Sequence, residues 1–502
     1  MVDYTHKVIK NTSIVLIGMF LSTIFGYLLR LILARGLSTS DFGLFYSIVA
    51  LFSFLAFFQF LGLSKATVKY IAEYKAQNKP ELIKSTILIT LFLQLTISFL
   101  IGLFCIIFSD WIATNYFHDI SISIFIKVYA ITVILFPLEK IFKIVFNGFQ
   151  QMTYFSLVEL IKTIFLVIAT FIFLASGLGV FSPIIAYILV YLIPPIFIYT
   201  PLFFKKVFPD FFKTETKISY ALTKKLLSFG MYVLLTGIAG LIFFHIDTMI
   251  ITYFRTLEEV GLYNVGYPTA KILWVLTSAV APVILPIASE LWQKKDIIKL
   301  REGINQLYKF SLILIIPGII VMFLFPDTII SLLFGENYIE AATVLRITSV
   351  GALLFSIATI NLNILTGIGL PKLVGKIMLT AAVFDAISTI LVVPSFGING
   401  AAVTTVLSFG IVFIISSLKV RKKFEIKHQY KNYIKIFISG GISMSTMYLT
   451  AKLLQLHIWL EISIAILLGG LIYLALLFSF RIINKKEIKQ ITNRFLKKKE
   501  NN

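Results

Sequence analysis

Long apolar stretches alternate with short polar connections along the whole of this 502-residue chain. A helix that crosses the hydrocarbon core of a bilayer needs roughly 20 mostly apolar residues, and fourteen stretches approach or exceed that length. They span residues 13–34, 43–64, 84–108, 122–145, 154–177, 181–204, 226–254, 264–289, 308–325, 341–366, 372–393, 398–418, 434–453 and 459–480. Because backbone polar groups in lipid must be paired within the chain, this pattern predicts an all-α membrane protein with about 14 transmembrane helices.

The amino-acid composition narrows the class of protein further. Hydrophobic residues make up 58% of the chain and charged residues only 14%, against roughly 25% charged residues in soluble domains. This excludes a soluble enzyme, a disordered chain and a disulfide-stapled scaffold. The single cysteine, Cys105, lies in an apolar stretch and has no partner for an internal disulfide. We interpret it as a small buried hydrophobic residue.

The basic residues are distributed unevenly about the predicted helices. The chain carries 45 Lys and Arg against 24 Asp and Glu, a formal net charge of +21. With a cytoplasmic N-terminus, 37 of the 45 cations lie on the inner side and three (Arg35, Arg255 and Lys452) on the outer side. This asymmetry predicts a multi-pass protein of the cell membrane with both termini in the cytoplasm. Its basic face would meet anionic membrane lipids, and we expect no nucleic acid as a partner.

The two halves of the chain resemble each other at a nearly constant offset. Residues 41–45 (DFGLF) match residues 259–263 (EVGLY) at an offset of 218. Residues 108–112 (FSDWI) match residues 325–329 (FPDTI) at an offset of 217. Further matches occur in the same order, so we interpret the pattern as an internal repeat; the alternative is coincidence in an apolar chain of low diversity.

The repeat predicts the domain organisation. Each half holds six predicted helices, and an even number gives both halves the same orientation, as in parallel transporter repeats. We therefore expect an N-lobe over residues 1–210, a C-lobe over residues 211–420, and two further helices with a basic cytoplasmic tail over residues 421–502. The lobes would enclose a cavity. The basic, aromatic stretch at 205–225 predicts a linker helix on the membrane surface.

Four cations fall inside the apolar stretches, at depths that place them in the outer half of the membrane: Arg30, Lys127, Lys271 and Arg346. Charged side chains there are costly and need a reason. Lys127 and Arg346 are repeat equivalents at an offset of 219, which favours one shared, cationic, substrate-binding cavity. Such a cavity attracts an anionic cargo such as a diphosphate. The alternative is that these side chains reach the outer interface or pair locally.

Acidic residues inside the apolar stretches form two further candidate sites. Asp247 and Asp385 are candidate cavity carboxylates and candidate sites for a coupling H+ or Na+. Glu159 and Lys162 are candidates for the inner half of the cavity. The alternative for this inner set is intrahelical pairing, because Glu159–Lys162 and Glu139–Lys143 have i,i+3 and i,i+4 spacings.

Motifs for energy-driven or catalytic chemistry are missing from the sequence. No phosphate-binding loop of the Walker A type occurs, and the five histidines are scattered without metal-ligand spacing. We therefore expect no metal site, no cofactor and no enzymatic activity.

Several segments resemble a known family. Residues 33–45 (LARGLSTSDFGLF) and residues 60–72 (FLGLSKATVKYIA) resemble the first helix connection and its surroundings in polysaccharide-unit flippases of the Wzx type. Residues 334–338 (FGENY) and residues 364–371 (ILTGIGLP) are also similar to that family. The resemblance covers nearly the whole chain. It indicates the oligosaccharide flippase branch of the multidrug/oligosaccharidyl-lipid/polysaccharide (MOP) exporter superfamily.

The resemblance implies two six-helix lobes arranged in a V. It also implies transport of an undecaprenyl- or dolichyl-(pyro)phosphate-linked oligosaccharide from the inner to the outer leaflet, with glycan polymerase or transferase proteins as further partners. In this family cationic cavity residues recur, and Arg30 and Lys271 match that theme best. Helices thirteen and fourteen would form a groove for the prenyl tail. The alternatives are a lipid II-type flippase, a multidrug or cation antiporter of the same superfamily, and a non-transporting scaffold of a glycan assembly complex.

Overall fold

A computed structural model describes residues 2–278, 281–426, 430–454 and 458–482, and within these ranges the secondary structure is entirely helical. The first part of the chain contains ten α-helices. They are α1 (Val2–Gly36), α2 (Thr39–Gln59), α3 (Leu63–Ala76), α4 (Pro80–Ile107), α5 (Ser109–Asn115), α6 (Ser123–Gly148), α7 (Met152–Ala175), α8 (Phe181–Pro194), α9 (Thr200–Leu202) and α10 (Tyr220–Phe254). The π-helical turns Pro195–Tyr199 and Phe203–Val207 extend α8 and α9.

The second part of the chain contains eight α-helices. They are α11 (Leu257–Ser278), α12 (Ala281–Gln293), α13 (Ile297–Leu324), α14 (Pro326–Phe334), α15 (Ala341–Gly367), α16 (Pro371–Phe424), α17 (Tyr430–Leu454) and α18 (Ile458–Ser479). Ten helices in the described part of the chain are long and apolar enough to cross a membrane. Each of the fourteen predicted stretches overlaps a helix. The number of spans and the two-lobe arrangement stay predictions.

The order of elements repeats along the chain. A short helix and a 3-10 turn (Ile120–Ile122) follow α4 and precede α6. A short helix and a 3-10 turn (Glu336–Tyr338) occur in the same order after α13 and before α15. The element order therefore matches the repeat seen in the residues.

The last pair of predicted repeat helices forms one long element with a break. Within α16, Gly397 has φ 56° and ψ −145°, which lies outside the helical region. A residue with a Cβ is strained at such a positive φ, whereas glycine adopts it readily. The break falls between the predicted stretches 372–393 and 398–418, so the sequence located it correctly.

The predicted linker helix at 205–225 is wrong for most of its length. After the second π-helical turn the chain is non-helical until α10 begins at Tyr220. Its main chain is held by side chains of α4 instead. The Lys84 ammonium donates to the Thr214 carbonyl, and the Lys217 amide donates to the Ser85 hydroxyl, each at 2.8 Å.

The chain divides into two compact units, and the predicted lobe boundaries stay predictions. Unit 1 contains the described residues of 2–264, 333–338 and 378–401, and unit 2 contains those of 265–332, 339–377 and 402–482. In unit 1, α1 packs on α7, α4 on α6, and α2 on α10. In unit 2, α15 packs on α12 and α13, and α17 packs on α13 and α18. The predicted basic tail lies largely in 483–502, outside the described residues.

Candidate substrate and ion sites

A buried carboxylate centre lies in unit 1. Asp247 on α10 is only 4% exposed. The Tyr263 hydroxyl donates to one of its oxygens at 2.8 Å, and the Thr389 hydroxyl donates to the other at 3.3 Å. Asp385, which is fully buried, precedes Thr389 by one turn of α16 and therefore lies on the same helix face. The structure thus brings together the elements that carry the two predicted carboxylates.

The chemistry of this centre suits a small cation or a proton. A carboxylate enclosed by apolar helices is costly unless it is hydrogen-bonded, neutralised or paired. Two carboxylates with hydroxyl neighbours supply oxygen ligands, which hard cations prefer. In the described ranges, no cluster of three or more His, Cys, Asp and Glu has metal-binding geometry. Any cation here would also need hydroxyl or carbonyl ligands.

Arg30 of α1 contacts α11 at the residue that follows Tyr263. Its guanidinium donates to the main-chain carbonyl of Asn264, the residue after Tyr263, and lies 4.1 Å from the centre of the Tyr46 ring. The side chain is half-buried. Among the residues that the structure describes, Arg30 forms no ion pair with a carboxylate. It is therefore a cation in an apolar helix whose charge a protein carboxylate does not neutralise.

Lys127 and Arg346 have local carboxylate partners. The Lys127 ammonium is 3.0 Å from Asp110, and the Arg346 guanidinium is 3.4 Å from Asp327. Both cations are at least 40% exposed at their side chains. Asp110 and Asp327 are themselves repeat equivalents, so the same ion pair occurs once in each half of the chain. This arrangement favours the local-pairing alternative for these two residues, and the shared cavity stays a prediction.

Asp110 lies outside the predicted membrane-spanning stretches, at the start of α5. The Ser123 hydroxyl donates to its carboxylate, as does the Lys127 ammonium. These two hydrogen bonds, with that of Ser123 the larger influence, lower the pKa of Asp110 below its usual value.

Lys271 lies in unit 2 among aromatic rings. Its ammonium is 4.0 Å from the centre of the Tyr267 ring and 5.6 Å from that of Trp274. Trp274 in turn packs against Phe355 and Phe409, with ring centres 4.7 and 5.0 Å apart. Aromatic faces attract a cation electrostatically, so these rings position the Lys271 ammonium.

An ionic cluster occupies the half of unit 1 that the sequence predicts to face the cytoplasm. Glu159 accepts hydrogen bonds from Lys143 of α6 and from Lys162, the latter at 2.5 Å. The predicted Glu159–Lys162 pair is therefore formed. The spacing-based Glu139–Lys143 pair is not the one seen, because Lys143 bonds to Glu159 across the helix interface. Glu139 is 1% exposed, and its Oε1 has no hydrogen-bond partner in the described structure.

Two repeat-equivalent glycines form a close helix contact that the sequence did not predict. A Cβ on Gly43 of α2 would overlap the Leu257 carbonyl and lie 2.8 Å from the Gly261 amide nitrogen. A Cβ on Gly261 of α11 would overlap the Thr39 carbonyl. Each glycine thus meets the carbonyl four residues before the other, so the contact is reciprocal. The signal was present in the matched segments 41–45 and 259–263, which share this glycine.

A family profile described as "Polysaccharide biosynthesis protein" matches residues 8–292, more than half of the chain. The chain belongs to the polysaccharide biosynthesis protein family. A second profile, "Lipid II flippase MurJ", matches residues 272–469 of this family member. The resemblance inferred from the sequence segments is confirmed.

Relatives extend over nearly the full length of this polysaccharide biosynthesis family member. It is 32% identical to the uncharacterized membrane protein MJ1068 of Methanocaldococcus jannaschii, covering 99% of this chain and 100% of the relative. It is 25% identical to a Haloferax volcanii protein named "Probable low-salt glycan biosynthesis flippase Agl15", covering 95% of this chain and 97% of the relative.

Solved structures agree on the fold. A structure of the lipid II flippase MurJ in an inward closed conformation superimposes with a TM-score of 0.77 at 18% identity, covering 93% of this chain and 98% of the other. An inward-facing multidrug resistance MATE family transporter of the MOP superfamily gives a TM-score of 0.66 at 15% identity, with 80% and 94% covered. This family member therefore has the MOP superfamily fold.

Proposed function

We propose that this protein is a flippase that moves a polyprenyl-(pyro)phosphate-linked oligosaccharide from the cytoplasmic to the outer leaflet, for cell-surface polysaccharide or glycoprotein synthesis. Family membership and the name of the Haloferax relative support a glycan-lipid substrate. The protein is not an enzyme in this proposal, and it takes no cofactor. Its partners are the lipid-linked oligosaccharide, anionic membrane lipids and, downstream, glycan polymerase or transferase proteins.

The observation that carries the proposal is Arg30. Placing a cation without a carboxylate partner in an apolar helix costs at least about 2.5 kcal/mol of insertion free energy, so its presence there indicates a function. The planar guanidinium matches phosphate oxygens and remains charged at any physiological pH. Arg30 is accordingly the proposed phosphate-binding cation, and we assign the same role to Lys271 because aromatic rings position its ammonium. Lys127 and Arg346 contribute less because each already holds an aspartate.

The prenyl tail needs an apolar path of its own. Unit 2 contains an apolar groove of about 380 Å³ between α13, α15, α16 and α17. Its lining includes Leu312, Leu354, Phe413 and Phe437, with the hydroxyl-bearing Tyr308 and Tyr433 at its polar positions. In the proposed mechanism this groove holds part of the tail while the head group crosses.

Coupling to an ion gradient is assigned to the Asp247–Asp385 centre. Binding of H+ or Na+ there would neutralise a buried carboxylate beside the Tyr263–Asn264 segment, whose carbonyl holds Arg30. A change at the ion site would therefore reach Arg30, the proposed phosphate-binding residue, through these two adjacent residues. Alternating access further requires the Gly43–Gly261 contact to separate in the outward-open state, since α2 and α11 belong to different sequence repeats.

The test is transport of a defined lipid by the purified full-length protein in vesicles. A fluorescent polyprenyl-diphosphate-linked sugar is placed in the inner leaflet, and its appearance in the outer leaflet is measured. Loss of a hydrogen bond to a charged group costs about 1.5–3 kcal/mol, so we expect Arg30→Ala to slow transport about 10- to 150-fold. Lys127→Ala is the matched control at the same predicted depth and should change transport little. Equal transport by both variants would refute the role of Arg30.

A lipid II-type flippase is the second candidate, because the lipid II flippase profile matches residues 272–469. The same vesicle assay decides between them. Lipid II would compete with the fluorescent lipid if this candidate is correct, and an oligosaccharide-linked lipid would not. Competition by cationic drugs instead would indicate a multidrug antiporter, and no transport of any probe would favour a scaffold.

A further inference from the structure

A polar cavity of about 370 Å³ lies within unit 1, between α1, α6 and α7. Its volume is within the range of roughly 300–1,000 Å³ found for ligand pockets. One wall is the ion pair between Lys143 and Glu159, and the other is the small-residue face of α1 with Ser22 and Thr23. At one end Gly18 lets the helices approach, because a Cβ there would lie 2.8 Å from that of Ser156.

Two hydroxyl groups in this cavity lack the bonds that such groups usually make. Serines in apolar helices commonly donate to the carbonyl four residues earlier. Ser22 and Ser156 are less than 10% exposed, and their hydroxyl oxygens have no hydrogen-bond partner in the part of the chain that the structure describes. A buried polar group without a partner is costly. Both serines line the cavity, so we assign their hydroxyls to a polar ligand.

The Lys143–Glu159 ion pair in the cavity wall can open, so that Lys143 binds a ligand instead of Glu159. Glu159 is held by both Lys143 and Lys162. An anion that takes Lys143 would still leave Glu159 paired with Lys162, so Glu159 would not be left buried and uncompensated. The cluster contains three lysines, Lys140 included, against the two carboxylates of Glu139 and Glu159. The fixed charge therefore favours an anionic group.

We propose that this α1–α6–α7 cavity binds a sugar phosphate: the phosphate on Lys143 and the adjoining sugar hydroxyls on Ser22 and Ser156, with the Phe155 ring beside them. The Phe155 ring centre is 5.3 Å from the Lys143 ammonium, so an apolar platform adjoins the cation. The inference rests on the proposed function and deepens it. It assigns an entry subsite for the head group, in the half of unit 1 predicted to face the cytoplasm, apart from Arg30.

The test measures binding rather than transport. The full-length protein is placed in nanodiscs of neutral phosphatidylcholine and titrated calorimetrically with N-acetylglucosamine 1-phosphate. We expect Lys143→Met and the double variant Ser22→Ala/Ser156→Ala each to weaken binding at least about tenfold, which is the order expected for hydrogen bonds to a charged ligand. Ser176→Ala, at the C-terminal cap of α7, is the matched control, since its hydroxyl is exposed and donates to the Ile172 carbonyl.

Further probes separate the sources of the phosphate. Inorganic phosphate should bind more weakly than the sugar phosphate, and its binding should depend on Lys143 but not on the two serines. Phosphatidic acid in the nanodisc should not displace the sugar phosphate; displacement would indicate a lipid head-group site and overturn the proposal. The two Ser→Ala changes are small, so the serine variant should fold normally. Unchanged affinity of this variant for the sugar phosphate would also overturn the proposal.

The outcome is distinguishable from failure of the proposed function. Wild-type protein that transports no lipid-linked sugar in vesicles refutes the function itself. Wild-type transport combined with normal sugar-phosphate affinity in the Lys143 and serine variants refutes only this cavity.

Discussion

The reciprocal contact of Gly43 and Gly261 makes a sharp prediction about the conformational cycle. Replacing Gly261 with alanine adds one methyl group, which would overlap the Thr39 carbonyl and come within 3.3 Å of its carbonyl carbon. Both neighbouring atoms belong to the main chain, so the helices themselves must move apart. A state in which α2 and α11 are separated meets no such overlap.

The size of the effect follows from the cost of overpacking. One added methylene in a well-packed interface costs about 1–3 kcal/mol. This cost applies only to the state in which the helices touch. It therefore shifts the ratio of separated to contacting states by about 5- to 150-fold. Gly43→Ala, whose Cβ would overlap the Leu257 carbonyl, should shift the ratio in the same direction.

Distances between spin labels measure this ratio. Cysteines introduced at the exposed positions Ser40 and Glu258 report the separation of α2 and α11, with Cys105 replaced by alanine. We expect the Gly261→Ala protein to gain a longer-distance population at the expense of the short one. Gly26→Ala is the matched control, because a Cβ there meets nothing within 4 Å. Identical distance distributions for wild type, Gly261→Ala and Gly26→Ala would refute the reasoning.

Three further predictions concern other parts of the molecule. Asp247→Asn keeps the size of the side chain but removes its charge, so transport in vesicles should lose its dependence on an imposed H+ or Na+ gradient; retained dependence would move the coupling site elsewhere. Gly397→Ala should lower thermal stability, because the residue has φ 56° and its Cβ would lie 2.9 Å from Glu259 Oε2; the cost is about 1 kcal/mol or more, and an unchanged melting temperature would contradict it. The lowered pKa of Asp110 means that its contribution to stability is present above its ordinary pKa of 3.8 and is lost as the pH falls through the lower folded value. Asp110→Asn should therefore be less stable than wild type at neutral pH, and the difference in melting temperature should shrink on strong acidification.

The helices were largely predictable from the sequence because each apolar stretch must pair its own backbone in lipid. The amphipathic α3 was missed, since Leu63–Ala76 carries polar residues on one face and fell into a predicted connection. The linker was assigned as a helix from its composition. Tertiary hydrogen bonds to Lys84 and Ser85 hold it in a non-helical conformation instead, and no local pattern encodes them.

The candidate sites were predictable by residue type but not by partner. The cost of a buried charge singled out Arg30, Asp247 and Glu159 in the sequence. Their partners were hidden because they are distant along the chain: Thr389 lies 142 residues from Asp247, and Asn264 lies 234 residues from Arg30.

The Lys127–Asp110 and Arg346–Asp327 pairs illustrate this limit. The repeat matched the two cations with each other and the two aspartates with each other. Linking cation to aspartate required the packing of α5 on α6 in the first half, and the contact across 19 residues in the second. A conserved pattern in two repeats therefore indicated equivalent positions, whereas the three-dimensional contacts determined what those positions do.

The most direct test of the flippase assignment is deletion of the gene in its host, followed by analysis of lipid-linked glycans in each leaflet of the membrane. The proposal predicts that a polyprenyl-linked oligosaccharide accumulates on the cytoplasmic leaflet while the corresponding surface glycan is lost. It also predicts that wild-type protein restores both, and that the Arg30→Ala variant does not. Unchanged surface glycan, with no lipid-linked intermediate on the cytoplasmic leaflet, would contradict it.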